Sequence, residues 1–592
     1  MDLVFDIETD DVQATKVWCI VAQDTGSSEI YKFAPHQLES GLELLQSAET
    51  LIGHNIIGFD IPVIHKLLGV DLSDKKLIDT LVLSRLFNPV REGGHSLEMW
   101  GYRLKYSKQD FNDYTNYSKE MMNYCVRDVQ LNTLVFEKLK EESKGFSSES
   151  IYIEQEVSKI LKKQEEDGFL FDRYNAEILL AKLREKMRDA EDQVHKVFKP
   201  KLVDVKEVTP YIKKDGSLSK RGLTDEEYNK VFSDILLQQK EIDDKGEVII
   251  PKPKPFMRRK LQDFNLGSRK QIGEYLQDFG WKPQKFTATG RPIVDEKTLS
   301  NIENIPEVKM IADYLLLQKR IAQIDSWIEA VEDDDRVHGF VIPNGTITGR
   351  MSHRSPNMAQ VPSIKSPFGV DCRSCWIASK GHKLVGIDAS SLELRMLAHY
   401  MQDKEFTREI IHGDVHKRNQ ETAGLQSRDQ AKTFIYALLY GAGDAKIGQV
   451  VGGSKKDGAR LKQRFFANQP SFKRLRERVS KASAKGYLKG LDGRKIHIRH
   501  IHASLNSLLQ GAGAIVMKKA LIMLNEKATE RSLDFKFVAN IHDEWQVEVI
   551  NKDVEEFGSL AVEAIKEAGE HFNLGCPLDA EYKIGENWSE TH

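Results

Sequence analysis

The sequence predicts a multidomain α/β protein, on three observations. The chain has 592 residues, enough for roughly four folding units. Short apolar runs broken by turn residues open the chain, and a helical period follows them from Tyr117 to Leu139. Near the other end, Phe535, Phe537, Ala539 and Ile541, then Trp545, Val547 and Val549, alternate with polar residues, which is the period of a half-buried antiparallel hairpin.

Taken in order, Leu3–Phe5 is a short apolar strand that leads into acidic residues. Val17–Val21 and Glu29–Phe33 read as further strands, and Leu51–Gly53 as a strand ending in HNIIGFD. Met121, Met122, Cys125, Val129 and Leu134 repeat near 3.6 residues and predict a helix. The small, mostly polar GFSS at Gly145–Ser148 is the expected first domain boundary. Residues 150–335 read as mainly helical, with amphipathic helices at Ile151–Lys163 and Tyr174–Phe198 and a return to helix at Leu315–Val331. Between Lys199 and Lys260, prolines, lysines and DG and KG turns interrupt that period, as an insertion does. From residue 336 onward the chain is mixed α/β: Lys383–Ile387 is a strand, Leu392–Tyr400 starts a helix, and the late hairpin carries His542, Asp543 and Glu544 at or beside its turn.

Composition excludes several classes. Hydrophobic residues make up 40% and charged residues 30%, as in ordinary globular proteins. No 18-residue apolar run stands out, so no membrane span is expected. The acidic start MDLVFDIETD is unlike a secretion signal, and five cysteines in so long a chain point to a reducing compartment. Cys372 and Cys375 have no second pair at zinc spacing and read as a chance CxxC. With a net charge of −3, nucleic-acid contacts must come from local patches such as Lys252–Lys260 (KPKPFMRRK) or Lys214–Arg221 (KDGSLSKR), each of which a solvated loop explains equally well.

Three segments of the second half carry chemistry. Asp388 ends an apolar strand and Asp543 sits at a tight turn; each alone is an ordinary structural aspartate. On neighbouring strands, the two carboxylates can hold two Mg²⁺ ions roughly 3.5–4 Å apart. Arg428, Lys432, Tyr436 and Tyr440 fall at i, i+4, i+8 and i+12, one stripe of a helix. Arg and Lys one turn apart suit adjacent phosphates, and Tyr436 one turn on can stack on a base or sugar. Phe434, Leu438 and Leu439 supply a separate apolar side, and His416 in GDVHKRNQ can reach the same phosphates.

A second set lies near the N-terminus. Asp6 and Glu8 are two apart on a strand and face one side. Asp60 follows another strand, and Tyr124 and Asp128 share a helix face at i and i+4. Converging, they can hold two metals and orient a water against a phosphodiester.

GIDASSLELRMLAHYM, GDVHKRNQ, RDQAKTFIYALLYGAGDAKIGQVVG, LDGRK, LNSLLQGAGA, NIHDEWQVE and GENWSETH resemble family A DNA polymerases, specifically the replicative enzymes of short-tailed bacteriophages of the T-seven type. The likeness covers most of residues 340–592. It implies a right-hand polymerase of thumb (150–335, with the insertion 199–260), palm (336–405 and 511–592) and fingers (406–510), together spanning residues 149–592. Asp388 and Asp543 match the metal-bridging carboxylates, the Ala389 carbonyl an extra ligand, and Glu544 a support beside the metals. Arg428 and Lys432 match triphosphate binders, with Lys432 the proton donor to departing pyrophosphate. Glu393 matches the side chain that excludes a ribose 2′-OH. Arg350 in TGRMS, Asn506 and Gln510 match minor-groove readers, and His542 is grouped with them as a DNA contact. Donors in the minor groove sense correct pairing without reading sequence. The first set, Asp6, Glu8, Asp60, Tyr124 and Asp128, resembles the tyrosine subtype of DEDD 3′–5′ proofreading exonucleases, which implies an RNase H-like domain over residues 1–148 and no separate 5′ nuclease.

The resemblance implies primer–template DNA, dNTPs and Mg²⁺ (with Mn²⁺ as substitute) as ligands, and the cytoplasm of an infected bacterium as the place of action. It also implies helicase–primase and single-strand DNA-binding companions. In the T-seven type an insertion in the thumb can recruit host thioredoxin as a processivity clamp. Residues 199–260 do not closely match that pattern, and a direct DNA contact by Lys252–Lys260 competes with it. A standalone nuclease would not need the triphosphate helix, and a single-subunit RNA polymerase would not need Glu393 or the exonuclease set. A non-enzymatic scaffold would need neither acidic site.

Overall fold

The apolar runs of the first 80 residues build a five-stranded sheet. Its strands are β1 (Asp2–Thr9), β2 (Val17–Asp24), β3 (Ile30–Phe33), β4 (Thr50–Gly53) and β5 (Lys76–Asp79), in spatial order β3-β2-β1-β4-β5. β1 runs antiparallel to β2 and parallel to β4, and β4 runs parallel to β5, the RNase H-like arrangement. The structure, a computed structural model, describes residues 1–237, 241–242, 248–249, 252–283, 285–299, 302 and 304–592.

β1 is covered on both faces. Leu3, Phe5 and Ile7 join one core, and Val4 joins another with Met122, Cys125 and Val129 of the helix α2 (Lys119–Glu142). Asp6 and Glu8 share the parity of Val4, so they face α2, and the strand that carries them runs past both to Thr9. α1 (Asp60–Leu68) follows β4, and α3 (Ser148–Asp167) follows α2. β5 was not among the expected strands.

The chain forms two compact units: Met1–Ala176 with Ser326–His592, and Glu177–Asp325. The second has its own core, including Phe198, Phe264, Leu276 and Ile311. Within it the ends of the expected insertion pair as an antiparallel ribbon, Lys201–Val208 with Phe256–Gln262. Arg258 is paired with Glu227 at 2.5 Å and Arg259 with Asp204 at 2.8 Å, which removes two cations from the basic run proposed to touch DNA. The rest of that insertion lies partly outside the described residues.

A four-stranded sheet of the first unit has spatial order β7-β8-β6-β9, entirely antiparallel: β6 (His382–Ala389), β7 (Phe535–Ile541), β8 (Glu544–Ile550) and β9 (Ala580–Gly585). Between β6 and β7 lie α4 (Leu392–Met401), α5 (Val415–Ala423), α6 (Arg428–Leu439) and α7 (Ser504–Glu530). The expectation of a half-buried hairpin is corrected: β8 is buried on both faces. Glu548 pairs with Arg336 at 3.1 Å, and Gln546 accepts from Thr591 at 2.7 Å, because the C-terminal tail covers the second face. Gly386 permits this, since a Cβ there would collide with the Thr591 carbonyl oxygen. α7 also corrects an expectation. The segment Ile501–Glu530 has an 18-residue window of mean hydropathy 1.4, long and apolar enough to cross a membrane, but 83% of that window is buried inside the protein.

α3 holds a group its amphipathic pattern does not single out: Glu154 is fully buried with Arg494 and Lys518, each at 2.5 Å. Asp492 pairs with the same Arg494 at 2.7 Å. Burial alone would raise the Glu154 pKa; Lys518 and Arg494 hold it below the usual range. These four groups tie α3, the loop of the hairpin that pairs Tyr487–Lys489 with Lys495–His497, and α7 together.

Candidate active sites

The second-half site forms where β6 ends beside the β7–β8 turn. Asp388 lies opposite Glu544 in register, and the Ala389 amide donates to the Asp543 carbonyl at 3.1 Å. His542, in the turn, has φ 58°. The Asp388 carboxyl is pushed up to about 6, first by burial and then by the negative charges of Asp543 and Glu544. An Asp388 carboxylate whose ionised form is opposed by burial and by a neighbouring Asp543 is a fit for divalent cations, which would relieve that repulsion.

Glu544 does not face that space freely. It is buried, accepts from Trp588 Nε1 at 2.6 Å, and pairs with Arg373 at 3.4 Å and His592 at 3.1 Å. Burial raises its pKa and these partners bring it below the usual value. Glu544 therefore anchors the C-terminal tail beneath the site. Arg373, Trp588 and His592 were not singled out by sequence; the only signal was the tail motif.

α6 starts at a Ser427 cap, whose side chain accepts from the Gln430 amide. Burial first, then Glu393 and Asp543, raise the Tyr436 pKa, so this phenol lies among both acids. Arg428 pairs with Asp414 at 2.7 Å, the residue that caps α5. The His416 ring centre is 6.3 Å from that of Tyr436, and burial, Arg428 and Lys432 lower its pKa. Arg428, Lys432 and His416, expected to reach phosphates, and Tyr436, expected to stack on a base or sugar, are thus together. Glu393 accepts from Arg350 at 3.2 Å and from the Tyr440 hydroxyl at 3.3 Å. Tyr440, to which sequence gave no role, thus joins Glu393 and Arg350 in one hydrogen-bonded group. Burial and Arg350 lower the His542 pKa, so those two are also neighbours. Asn506 and Gln510 are half-buried, one turn apart on α7.

The N-terminal residues line one cavity of about 540 Å³, which includes Asp6, Glu8, Asp60, Lys108, Tyr124 and Asp128. The Ile7 amide donates to Asp60 at 3.2 Å, locking α1 to β1. Ligand atoms of Asp6, Glu8 and Cys125 lie within 4.8 Å of one another. Burial raises the pKa of Asp6 and Asp128 and pushes Asp60 to about 7 and Glu8 to about 9. Asp128 Oδ1 is buried with no hydrogen-bond partner. Crowded, desolvated carboxylates with an orphaned oxygen fit a cation. Cys125 and Lys108 were missed: each looks like an ordinary core or loop residue until the fold brings it to the carboxylates.

This has a pH consequence. In the metal-free folded state these groups keep protons that the unfolded chain releases near pH 4. Stability therefore falls as pH rises from about 4 through the raised values near 7 and 9. Thermal unfolding in EDTA should give a falling midpoint between pH 5 and 9, and added Mg²⁺ should flatten the curve; a midpoint that rises with pH in EDTA would contradict the packing of the four acids.

Comparison with known proteins shows the family. The profile of DNA polymerase family A matches residues 252–590. The chain is 34% identical to the DNA-directed DNA polymerase of Enterobacteria phage T3 and 33% to that of Escherichia phage T7, in each case over 100% of both chains. It is 36% identical to the DNA-directed DNA polymerase of Escherichia phage Phieco32 over 44% of this chain and 48% of that one. Among solved structures, the POL domain of Pol1 from M. smegmatis, in complex with DNA primer-template and dNTP, superposes with a TM-score of 0.77 at 17% identity, covering 100% of this chain and 95% of that chain, which bears on the fold alone. Family A polymerases use divalent metals. The chain belongs to DNA polymerase family A and is a DNA-directed DNA polymerase of the phage type.

Proposed function

We propose that this polymerase replicates phage DNA in the cytoplasm of the infected host and proofreads its own product through the N-terminal site. Residues 1–148 act as the 3′–5′ exonuclease and 149–592 as thumb, palm and fingers. The observation that carries the reading is the convergence of two separate carboxylate clusters, only one of which has a cationic helix beside it.

In the polymerase site, Asp388 and Asp543, with the Ala389 carbonyl, would hold two Mg²⁺ ions; in the exonuclease, Asp6, Glu8, Asp60 and Asp128 would hold the metals. When bound, such cations would supply activation of an attacking oxygen and neutralisation of charge on the leaving one. Arg428, Lys432 and His416 bind the triphosphate, and Lys432 donates a proton to the departing pyrophosphate. Glu393 closes the space a 2′-OH would need. Arg350, Asn506, Gln510 and His542 bind the minor-groove side of the primer–template. Tyr124 orients the water that attacks the 3′-terminal phosphodiester. Glu544 supports the first site indirectly, by holding the tail. Thioredoxin, a helicase–primase and a single-strand DNA-binding protein are candidate partners.

Tyr436 gives a specific expectation. Its hydroxyl fills space at the sugar 3′ position, so the enzyme discriminates weakly against dideoxynucleotides. Tyr436→Phe should raise that discrimination at least ~10-fold, the scale of one unfilled group in a substrate pocket. An unchanged dideoxy/deoxy incorporation ratio would remove the role. The exonuclease is tested on a labelled single-stranded 3′ end with Mg²⁺ and no dNTPs. Shortening should fall at least ~10²-fold in Asp6→Ala, and equal shortening by that variant would sink the assignment.

A further inference from the structure

The loop between the helix Leu97–Leu104 and α2 carries a cation into the N-terminal cavity. Lys108 Nζ lies 2.6 Å from Asp128 Oδ2 and 2.7 Å from the Tyr124 hydroxyl. The backbone before it is fastened to α2 itself. Arg127 donates through Nε to the Ser107 carbonyl at 3.1 Å, and its guanidinium lies 3.3 Å from the centre of the Tyr106 ring. The Tyr106 hydroxyl in turn donates to Gln130 at 2.8 Å. Gly101 makes the turn feasible, because a Cβ there would lie 2.9 Å from the Tyr106 carbonyl oxygen. Lys108 is therefore registered to the helix that carries Tyr124 and Asp128.

The bonding pattern has direction. Lys108 takes Asp128 Oδ2 and leaves Asp128 Oδ1 buried without a partner. A carboxylate held through one oxygen presents the other at a fixed angle, which is how supporting groups orient metal ligands. The Tyr124 oxygen accepts from Lys108, which leaves the phenol its own proton to donate, with Asp128 and the Tyr114 phenol near enough to compete for it until a water enters. Phe111 packs on the Tyr124 ring at 5.4 Å and limits its swing.

We propose that Lys108 is a positioning residue of the exonuclease: it holds Asp128 with Oδ1 presented to the cation and Tyr124 with its O–H available to the attacking water. This rests on the exonuclease reading of the N-terminal site. No bond is made or broken by Lys108; its ammonium acts through the two residues it touches.

The test uses the full chain with Lys108→Met and Lys108→Arg, and Asp6→Ala as control. Shortening of a single-stranded DNA 3′ end is read as kcat and KM. Mn²⁺ binding to the DNA-free protein is read by electron paramagnetic resonance in an Asp543→Ala background, which removes the other metal site. Lys108→Met should lower kcat roughly 10–100-fold and weaken Mn²⁺ binding by a similar factor, the scale of losing a ligand-orienting group. KM for DNA should stay within about 2-fold, as for a group that does not bind the ground state. Lys108→Arg should recover part of both, and primer extension should be unchanged, which shows that the variants fold. Unchanged kcat and Mn²⁺ affinity overturns the inference, as does a change confined to KM (a DNA-phosphate contact) or tighter Mn²⁺ binding (a competing cation). If Asp6→Ala shortens DNA as fast as wild type, the exonuclease reading itself fails. If Asp6→Ala is inactive while Lys108→Met matches wild type, only the role of Lys108 falls.

Discussion

Asp543→Ala should lower nucleotide incorporation at least ~10³-fold while leaving 3′-end shortening intact. The magnitude follows from removing one of two carboxylates that share the cations; losing a single preorganised electrostatic group already costs about 10²–10³-fold. The selectivity follows from position. Asp543 contributes to the environment of Asp388, Tyr436 and His542, and to none of the N-terminal acids. Single-turnover incorporation beside single-strand degradation measures both. A parallel loss of the two activities would mean that the variant is misfolded or that the sites are not separate.

The second large effect is on stability. Glu154→Ala should destabilise the first unit by about 3–5 kcal/mol, the cost of breaking a buried ion pair from one side. Arg494 still has Asp492, but Lys518 is left with a buried, uncompensated charge. Burial already pushes the Lys518 pKa down to about 8, so little opposes its neutralisation once Glu154 is gone. The double variant Glu154→Gln/Lys518→Met should be closer to wild type than Glu154→Ala, because Arg494 and Asp492 remain a balanced pair. Urea denaturation midpoints of the three proteins decide it; a double variant that is worse than Glu154→Ala would show that the cluster is not held by charge balance.

Much of the two sites was legible, for a physical reason. Asp6 and Glu8, Tyr124 and Asp128, and the Arg428–Lys432–Tyr436 stripe are pairs at fixed strand or helix spacing, and a local period is visible in one dimension. What escaped notice is set by long-range packing. Glu154 has the pattern of a solvated helix face, and only Arg494 and Lys518, more than 300 residues away, make it a core residue. Lys108 lies in an irregular loop whose position depends on Arg127 and Gln130. Glu544 reads as a metal neighbour, yet Trp588 and His592 turn it into an anchor for the tail. β8 alternates as a half-buried strand does, and its polar residues are buried because Arg336 and Thr591 satisfy them. α7 is long and apolar enough for a membrane by length and composition, and 83% of its apolar window is internal to the protein.

The central claim is that one chain holds two separable sites, one that extends DNA and one that trims it. The most direct measurement follows a 5′-labelled primer–template with Mg²⁺, with and without dNTPs, in wild type, Asp543→Ala and Asp6→Ala. The account predicts extension with dNTPs that only Asp543→Ala abolishes, and shortening without dNTPs that only Asp6→Ala abolishes. Shortening with no extension in wild type, or loss of both activities in either variant, would contradict it.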